Sequence, residues 1–141
     1  MPPVFVDTAY HIAIFNAGDP LHGSATALAN ELATDRSSQF VSTHLVLAEF
    51  LASASRATHL RVQAADYVRA FIAAPPVIIV ETGAPLFERA LQLYGSREDK
   101  RYSLVDCVSM IVCHDLGITD VLTSDHDFEQ EGFNILLQRR T

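Results

Sequence analysis

Short apolar runs alternate with longer amphipathic stretches along this chain, a pattern typical of strands that alternate with helices. Five runs have the length and the β-branched or aromatic composition of strands, namely residues 4–6, 39–42, 77–80, 118–122 and 133–137. Between them, apolar residues recur at intervals of three and four, as on a helix that packs one face against a sheet. We therefore expect an α/β fold with three α/β/α layers and a mainly parallel central sheet of about five strands.

Local signals predict several boundaries and environments. Asp19 followed by Pro20 is typical of a helix start, with Asp19 as the N-cap, and Gly95 is typical of a helix end. The run 77–80 contains only β-branched residues, which predicts a strand buried on both faces.

The helix predicted over residues 103–116 contains a single acid in its first three turns, Asp106. Its other positions are apolar around most of the circumference, so we expect this helix to be buried on nearly all sides. A buried carboxylate is costly unless it is hydrogen-bonded, neutralised or bound to a cation. Ser103 and Asp106 also have the spacing of a capping box, which explains the acid without any function. Both interpretations stay open for this helix taken alone.

Three more acids stand in apolar surroundings. Asp7 follows the first strand directly, Asp125 lies just beyond the fourth, and Glu49 lies inside the apolar helix predicted over residues 44–56. Asp7 and Asp125 also fit ordinary helix or turn caps. Glu49 lies too far into its helix to be a cap. Functional crevices in open α/β sheets lie at the carboxyl ends of strands, so we expect these acids to meet Asp106 there.

Composition narrows the class of protein. A length of 141 residues suits one domain over residues 1–141, and 49% hydrophobic with 19% charged residues are the proportions of a soluble globular protein. No apolar run reaches the roughly 20 residues that a transmembrane helix needs. Cys107 and Cys113 lie on one predicted helix and form no CxxC pair, so we expect reduced core residues in a cytoplasmic protein.

The formal net charge of −7 argues against a protein that coats nucleic acid through positive charge. It does not exclude a nuclease, because acids that hold divalent cations add negative charge where phosphate must bind. Four carboxylates that meet repel one another, and hard oxygen ligands suit Mg²⁺ or Mn²⁺ rather than zinc. Such ions activate water and stabilise the leaving oxygen of a phosphodiester. The candidate chemistry is therefore metal-assisted hydrolysis by Asp7, Glu49, Asp106 and Asp125.

The most charged segment, residues 96–101, leads into the helix that carries Asp106. Its cations Arg97, Lys100 and Arg101 are candidates for contacts with the phosphates of a nucleic acid strand. A solvated loop is the plain alternative for such a charge run.

Four stretches together resemble the acidic motifs of PIN-domain ribonucleases, in order and at similar intervals. They are VFVDT (4–8), LAEFL (47–51), YSLVDC (102–107) and TSDHDF (123–128). The resemblance covers essentially the whole chain. The short length of the chain is similar to that of the VapC-type toxins of bacterial toxin–antitoxin pairs. It implies a PIN-like fold and a Mg²⁺-dependent endoribonuclease.

The same resemblance implies roles for particular residues and partners. Asp7, Glu49, Asp106 and Asp125 correspond to metal-site acids, and Asp127 and Asp99 resemble accessory acids of the pattern. An RNA substrate, a cognate antitoxin that occludes the site, and a homodimer are also implied.

Two other functions stay open at this point. A phosphoacceptor signalling domain also gathers acids and Mg²⁺ at strand ends, but it requires a lysine near the last strand, and residues 134–138 contain none. A catalytically silent interaction module with the same fold would keep a Mg²⁺-binding acidic pocket without turnover. Acids at all four motif positions favour the nuclease.

Overall fold

A five-stranded parallel sheet runs through the centre of the computed structural model, which describes residues 2–138. The strands are β1 (Val4–Val6), β2 (Phe40–Thr43), β3 (Val77–Val80), β4 (Asp120–Leu122) and β5 (Asn134–Ile135). Their order across the sheet is β3-β2-β1-β4-β5, and each neighbouring pair is parallel. This confirms the predicted α/β class, and the sheet is parallel throughout rather than mainly.

Seven α-helices connect and cover these strands. They are α1 (Thr8–Phe15), α2 (His22–Ala33), α3 (His44–Ala54), α4 (Arg61–Ala73), α5 (Ala84–Ser96), α6 (Leu104–Leu116) and α7 (His126–Gln130), with a short 3-10 turn at Thr58–Leu60. None of the helices within residues 2–138 combines the length and apolar character needed to cross a bilayer.

The side chains of β1 alternate between the two faces of the sheet, and the core has one layer on each face. Phe5 is fully buried and packs in a cluster with Val108 of α6 and Ala90 of α5. Val4 and Val6 point to the opposite face, into a cluster that includes Leu32 of α2. Successive strand residues face opposite sides of a sheet, so one three-residue strand anchors helices on both of its faces.

Three local predictions are wrong. β3 is not buried on both faces, because it forms an edge of the sheet and Ile78 is 46% exposed. Asp19 does not cap α2, which begins at His22. Its carboxylate instead accepts a hydrogen bond from the Leu21 backbone N–H at 2.8 Å, in the turn before the helix. Gly95 does not end α5, which continues to Ser96.

The capping box expected at the start of α6 is confirmed, and a glycine ends the helix. Ser103 and Asp106 form a reciprocal capping box at its N-terminus. At the C-terminus, Gly117 adopts the left-handed conformation with φ 67° and its N–H bonds to the carbonyl of Cys113. The position of Asp106 in the first turn is therefore fixed by local sequence.

Candidate active site

Neighbouring strands β1 and β4 deliver the first acids. Asp7 directly follows β1, and its backbone N–H donates to the carbonyl of Leu122, the last residue of β4. Thr123, one residue further, donates its hydroxyl to Asp7 Oδ2 at 2.8 Å. Asp125 then caps α7, and its Oδ1 accepts the backbone N–H of Asp127 at 2.9 Å. The parallel pairing of two strands thus brings residues more than a hundred positions apart to one edge of the sheet.

Glu49 reaches the same edge from α3, which follows β2. The hydroxyl of Thr8, at the start of α1, donates to Glu49 Oε1 at 2.6 Å. Thr8 is adjacent to Asp7, so this hydrogen bond ties the Glu49 carboxylate beside the end of β1.

Asp106 is both a helix cap and a member of the acidic site. Its Oδ2 accepts the backbone N–H of Ser103 at 3.0 Å. Carboxylate oxygens of Asp106, Asp125 and Asp127 lie within 4.8 Å of one another. The capping and functional interpretations of this acid are therefore compatible, because the cap occupies one oxygen and orients the other.

The four principal acids share this arrangement of their oxygens. A neighbouring donor holds Oδ2 of Asp7, Oε1 of Glu49, Oδ2 of Asp106 and Oδ1 of Asp125. Asp7 Oδ1 is buried and has no hydrogen-bond partner among the described residues. A buried oxygen left without a donor costs free energy that a bound cation removes.

The acids of this site interact electrostatically. Burial raises the pKa of Asp7 to about 7, against the opposing hydrogen bond from Thr123, and the charges of Asp106 and Glu49 raise it further. Burial also raises the pKa of Asp106, and the neighbouring charges of Asp125 and Glu49 contribute. Within residues 2–138, neither lysine nor arginine forms a salt bridge with these four acids. Within the described residues, no lysine or arginine therefore neutralises these four acids by direct contact.

This donor set fits a hard divalent cation. Every candidate ligand is a carboxylate oxygen, which Mg²⁺ and Mn²⁺ prefer, and no histidine or cysteine belongs to the cluster of Asp106, Asp125 and Asp127. Asp7 and Glu49 lie outside this group of three, but the charge of Asp106 raises the pKa of Asp7, whose buried Oδ1 has no hydrogen-bond partner among the described residues.

The structure separates the remaining predicted site residues. Asp99 is not among the acids that gather, since its side chain is 76% exposed and pairs with Lys100 at 3.6 Å. Arg97 forms a salt bridge with Glu131, its Nε lying 2.8 Å from Oε1. Its guanidinium is therefore not free for the phosphate contact that the sequence predicted. Burial and Asp125 raise the pKa of Asp127, whereas the charges of Lys100 and Arg101 lower it. These two cations are therefore within electrostatic range of Asp127.

Sequence reasoning missed the two hydroxyl donors, Thr8 and Thr123. Both are buried, and each binds an acid from another part of the chain. Their only signal in the sequence is that each lies within two residues of the end of a strand. That position places a small donor at the rim of the sheet, but it does not identify the acceptor.

Comparisons with known proteins agree with this geometry. The PIN-domain family matches residues 4–134. The 23S rRNA-specific endonuclease VapC20 of Mycobacterium tuberculosis is 30% identical over 130 residues, which cover 92% of this chain and 95% of that protein. The crystal structure of Mycobacterium tuberculosis VapC20, described as a toxin that cleaves the sarcin–ricin loop, superposes with a TM-score of 0.81 at 29% identity, covering 93% of this chain and 96% of that one. This chain therefore belongs to the PIN-domain family.

Proposed function

We propose that this protein is a metal-dependent endoribonuclease that acts as the toxin of a type II toxin–antitoxin system. The observation that carries the proposal is the convergence of Asp7, Glu49, Asp106 and Asp125, each with one oxygen held by a protein donor. Family membership and similarity to a ribosomal RNA endonuclease support the same function.

In this proposal the acids, with Asp127 as an accessory, hold Mg²⁺ or Mn²⁺. When bound there, such an ion would supply activation of water and stabilisation of the negative charge that develops on the phosphodiester. Thr8 and Thr123 fix the carboxylates of Glu49 and Asp7 by donating hydrogen bonds, so that little reorganisation is needed when substrate binds. Lys100 and Arg101, whose charges lower the pKa of Asp127, contact backbone phosphates of the RNA.

The first test is RNA cleavage by the purified protein. Cleavage is expected with Mg²⁺ or Mn²⁺ and not with EDTA, and Asp7→Asn or Asp106→Asn should lower it by at least a hundredfold without unfolding the protein. Asp66→Asn is the matched control, since it removes the same charge from an exposed ion pair with Arg69. Equal activity in all of these variants would reject the nuclease and favour a silent interaction module.

We extend the proposal to the target, a stem-loop of ribosomal RNA, on the basis of the VapC20 comparison. Intact ribosomes and a synthetic sarcin–ricin hairpin should be cut at one position, and a hairpin with the same stem and a scrambled loop should not. Cleavage of transfer or messenger RNA instead would reject this target while leaving the nuclease in place. Replacing Lys100 or Arg101 by alanine should raise KM more than it lowers kcat.

We also propose that a cognate antitoxin docks in a groove of about 880 Å³ at the opposite end of β2 and β3 from the acids, which differs from the occlusion of the acidic site that the resemblance implies. Its walls come from α1, α2 and α4 and are mainly apolar, including Ile14, Leu32 and Phe71. A groove between helices with apolar walls suits the apolar face of an amphipathic helix.

The groove is tested with the protein encoded immediately upstream of this gene. Ala70→Glu places a charge in the groove and should weaken binding of that partner without changing RNA cleavage. Ala73→Glu is the control, because Ala73 is an exposed alanine of the same helix that does not line the groove. Equal binding by both variants would remove the groove from the proposal.

A homodimer is the third partner that we propose, through an apolar flank of α5. Phe87, Leu91 and Tyr94 are 41%, 41% and 54% exposed and lie on one side of the helix at spacings of four and three. Arg89 lies on the other side, where it binds Asp115 of α6. The apolar flank therefore faces away from α6.

The edge strand β3 adds a further exposed apolar side chain. Ile78 of β3 points to the same sheet face as Val80, which packs with the α5 cluster. An apolar helix flank beside an unpaired strand edge is self-complementary across a two-fold axis, so a second copy is the partner that fits.

Leu91→Glu should convert the protein to a monomer in analytical ultracentrifugation. Val62→Glu, at a 72% exposed valine of α4, should leave the association unchanged. A wild-type monomer at micromolar concentration would contradict the dimer.

The proposal treats residues 1–141 as a single PIN-like domain that acts in the cytoplasm. The family match over residues 4–134 supports the single domain. The free and buried Cys107 and Cys113 suit a reducing compartment.

A further inference from the structure

Arg97, Glu131 and Tyr102 form a cluster beside the acidic site that the proposed chemistry does not use. Arg97 Nε donates to Glu131 Oε1 at 2.8 Å and its Nη2 lies 3.5 Å from Oε2. The Tyr102 hydroxyl donates to the same Oε1 at 3.0 Å. Glu131 therefore binds two side chains, both from a segment about 30 positions earlier in the chain.

The cluster is better defined than a surface ion pair. The side chain of Glu131 is 20% exposed and that of Arg97 is 38% exposed, and Tyr102 packs in the main core. The hydrogen bond and charge of Arg97 lower the pKa of Glu131. Burial first, and then the hydrogen bond to Glu131, raises the pKa of Tyr102 to about 12. Each group therefore keeps its partner-binding protonation state at neutral pH.

The positions of these residues next to the caps of α6 and α7 indicate a role for the cluster. Tyr102 directly precedes Ser103, the N-cap that orients the Asp106 carboxylate. Glu131 is the C-cap of α7, the short helix whose N-terminus carries Asp125 and Asp127. The cluster thus joins the two elements whose acids lie within 4.8 Å of one another.

We propose that Arg97, Glu131 and Tyr102 are positioning residues that hold α7 against the start of α6 and thereby set the spacing of Asp106, Asp125 and Asp127 for a divalent cation. This inference rests on the proposed metal-dependent nuclease. It also assigns a role to Arg97 that differs from the phosphate contact expected from the sequence. α7 has only five residues: its buried Phe128 anchors the middle of the helix in the core, and the cluster holds its C-terminal end.

The experiment measures Mn²⁺ affinity by calorimetry in the intact protein. Arg97→Ala and Glu131→Gln are expected to weaken Mn²⁺ binding by about tenfold, as is common when a residue that orients metal ligands is removed. Tyr102→Phe, which keeps the ring and loses only the hydrogen bond, should have a smaller effect. Cleavage of RNA by the three variants should recover towards the wild-type rate at saturating Mn²⁺.

Arg89→Ala is the matched control. It breaks an arginine–carboxylate pair of similar geometry, with Nη1 and Nη2 at 2.6 and 2.9 Å from Asp115, but between α5 and α6 away from the acids. Thermal stability should fall slightly in both arginine variants, and only Arg97→Ala should lose Mn²⁺ affinity.

Two outcomes overturn the inference separately. Wild-type Mn²⁺ affinity in Arg97→Ala and Glu131→Gln, or an equal loss in Arg89→Ala, would show that the cluster does not position the acids. Absence of Mn²⁺ binding and RNA cleavage in the wild type would reject the proposed function itself, and the positioning role with it.

Discussion

Asp7 shows how a single residue can lower stability and still be retained for function. The residue is 5% exposed, Thr123 binds one of its carboxylate oxygens, and the other oxygen has no hydrogen-bond partner within residues 2–138. Burial therefore favours the protonated form and raises the pKa to about 7 from the ordinary 3.8. At neutral pH without a cation, the folded protein bears much of the cost of an ionised, buried carboxylate.

This cost predicts that Asp7→Asn stabilises the metal-free protein. Because the folded pKa lies above the unfolded value, the contribution of Asp7 to stability is fully present below about pH 4 and is lost as the pH rises to about 7. Asparagine removes this titration, so its gain in unfolding free energy should reach a few kcal/mol above pH 7 and vanish near pH 4. Urea unfolding in EDTA across this range measures it, and a wild type of equal stability at pH 8 would contradict the assignment.

At the scale of elements, α6 is defined by both of its ends. The capping box orients Asp106 at the N-terminus, and Gly117 ends the helix in the left-handed conformation. Ile118 is then buried as the chain turns towards β4. The C-terminal cap therefore sets where β4, and with it Thr123 and Asp125, begins.

Two glycines provide a matched test of this cap. Gly117→Ala should destabilise the protein by about 1 kcal/mol, because φ 67° is strained for any residue with a Cβ although no atom lies within 4 Å of it. Gly95→Ala, inside α5 and equally open, should stabilise by about 0.5–1 kcal/mol. Thermal unfolding of both variants measures the difference, and changes of the same sign would show that backbone conformation does not decide it.

At the scale of the whole molecule, the acidic site concentrates negative charge in a protein whose formal net charge is −7. Asp7, Glu49, Asp106 and Asp125 arrive from four separate elements at the carboxyl edge of the sheet. The surrounding apolar core keeps them there despite their mutual repulsion. Folding therefore holds the acids together in advance of any cation.

This arrangement predicts that divalent cations stabilise the fold. Mg²⁺ or Mn²⁺ at about a hundred times its Kd should add roughly 2.7 kcal/mol to the unfolding free energy, whereas NaCl at equal ionic strength should not. The increase in Tm should disappear with EDTA and in Asp106→Asn. A Tm that responds equally to NaCl and MnCl₂ would indicate screening of charge instead of a binding site.

The sequence by itself determined most of the secondary structure and the candidate acids. Periodicity and caps are local properties, so the order of strands and helices, the capping box of α6 and the glycine at its end were all predictable. The prediction for β3 failed because a β-branched run specifies a strand without specifying whether another strand covers it.

Only the tertiary structure decided how the acids are held. The donors from Thr8 to Glu49 and from Thr123 to Asp7 span 41 and 116 positions, and no local pattern encodes such pairs. The ion pair of Arg97 was unpredictable for the same reason. Its sequence neighbours indicate a solvated or phosphate-binding cation, but in the folded chain it binds Glu131, which lies 34 positions away. Local sequence fixes where a side chain lies on its own element, and only packing between elements fixes what that side chain contacts.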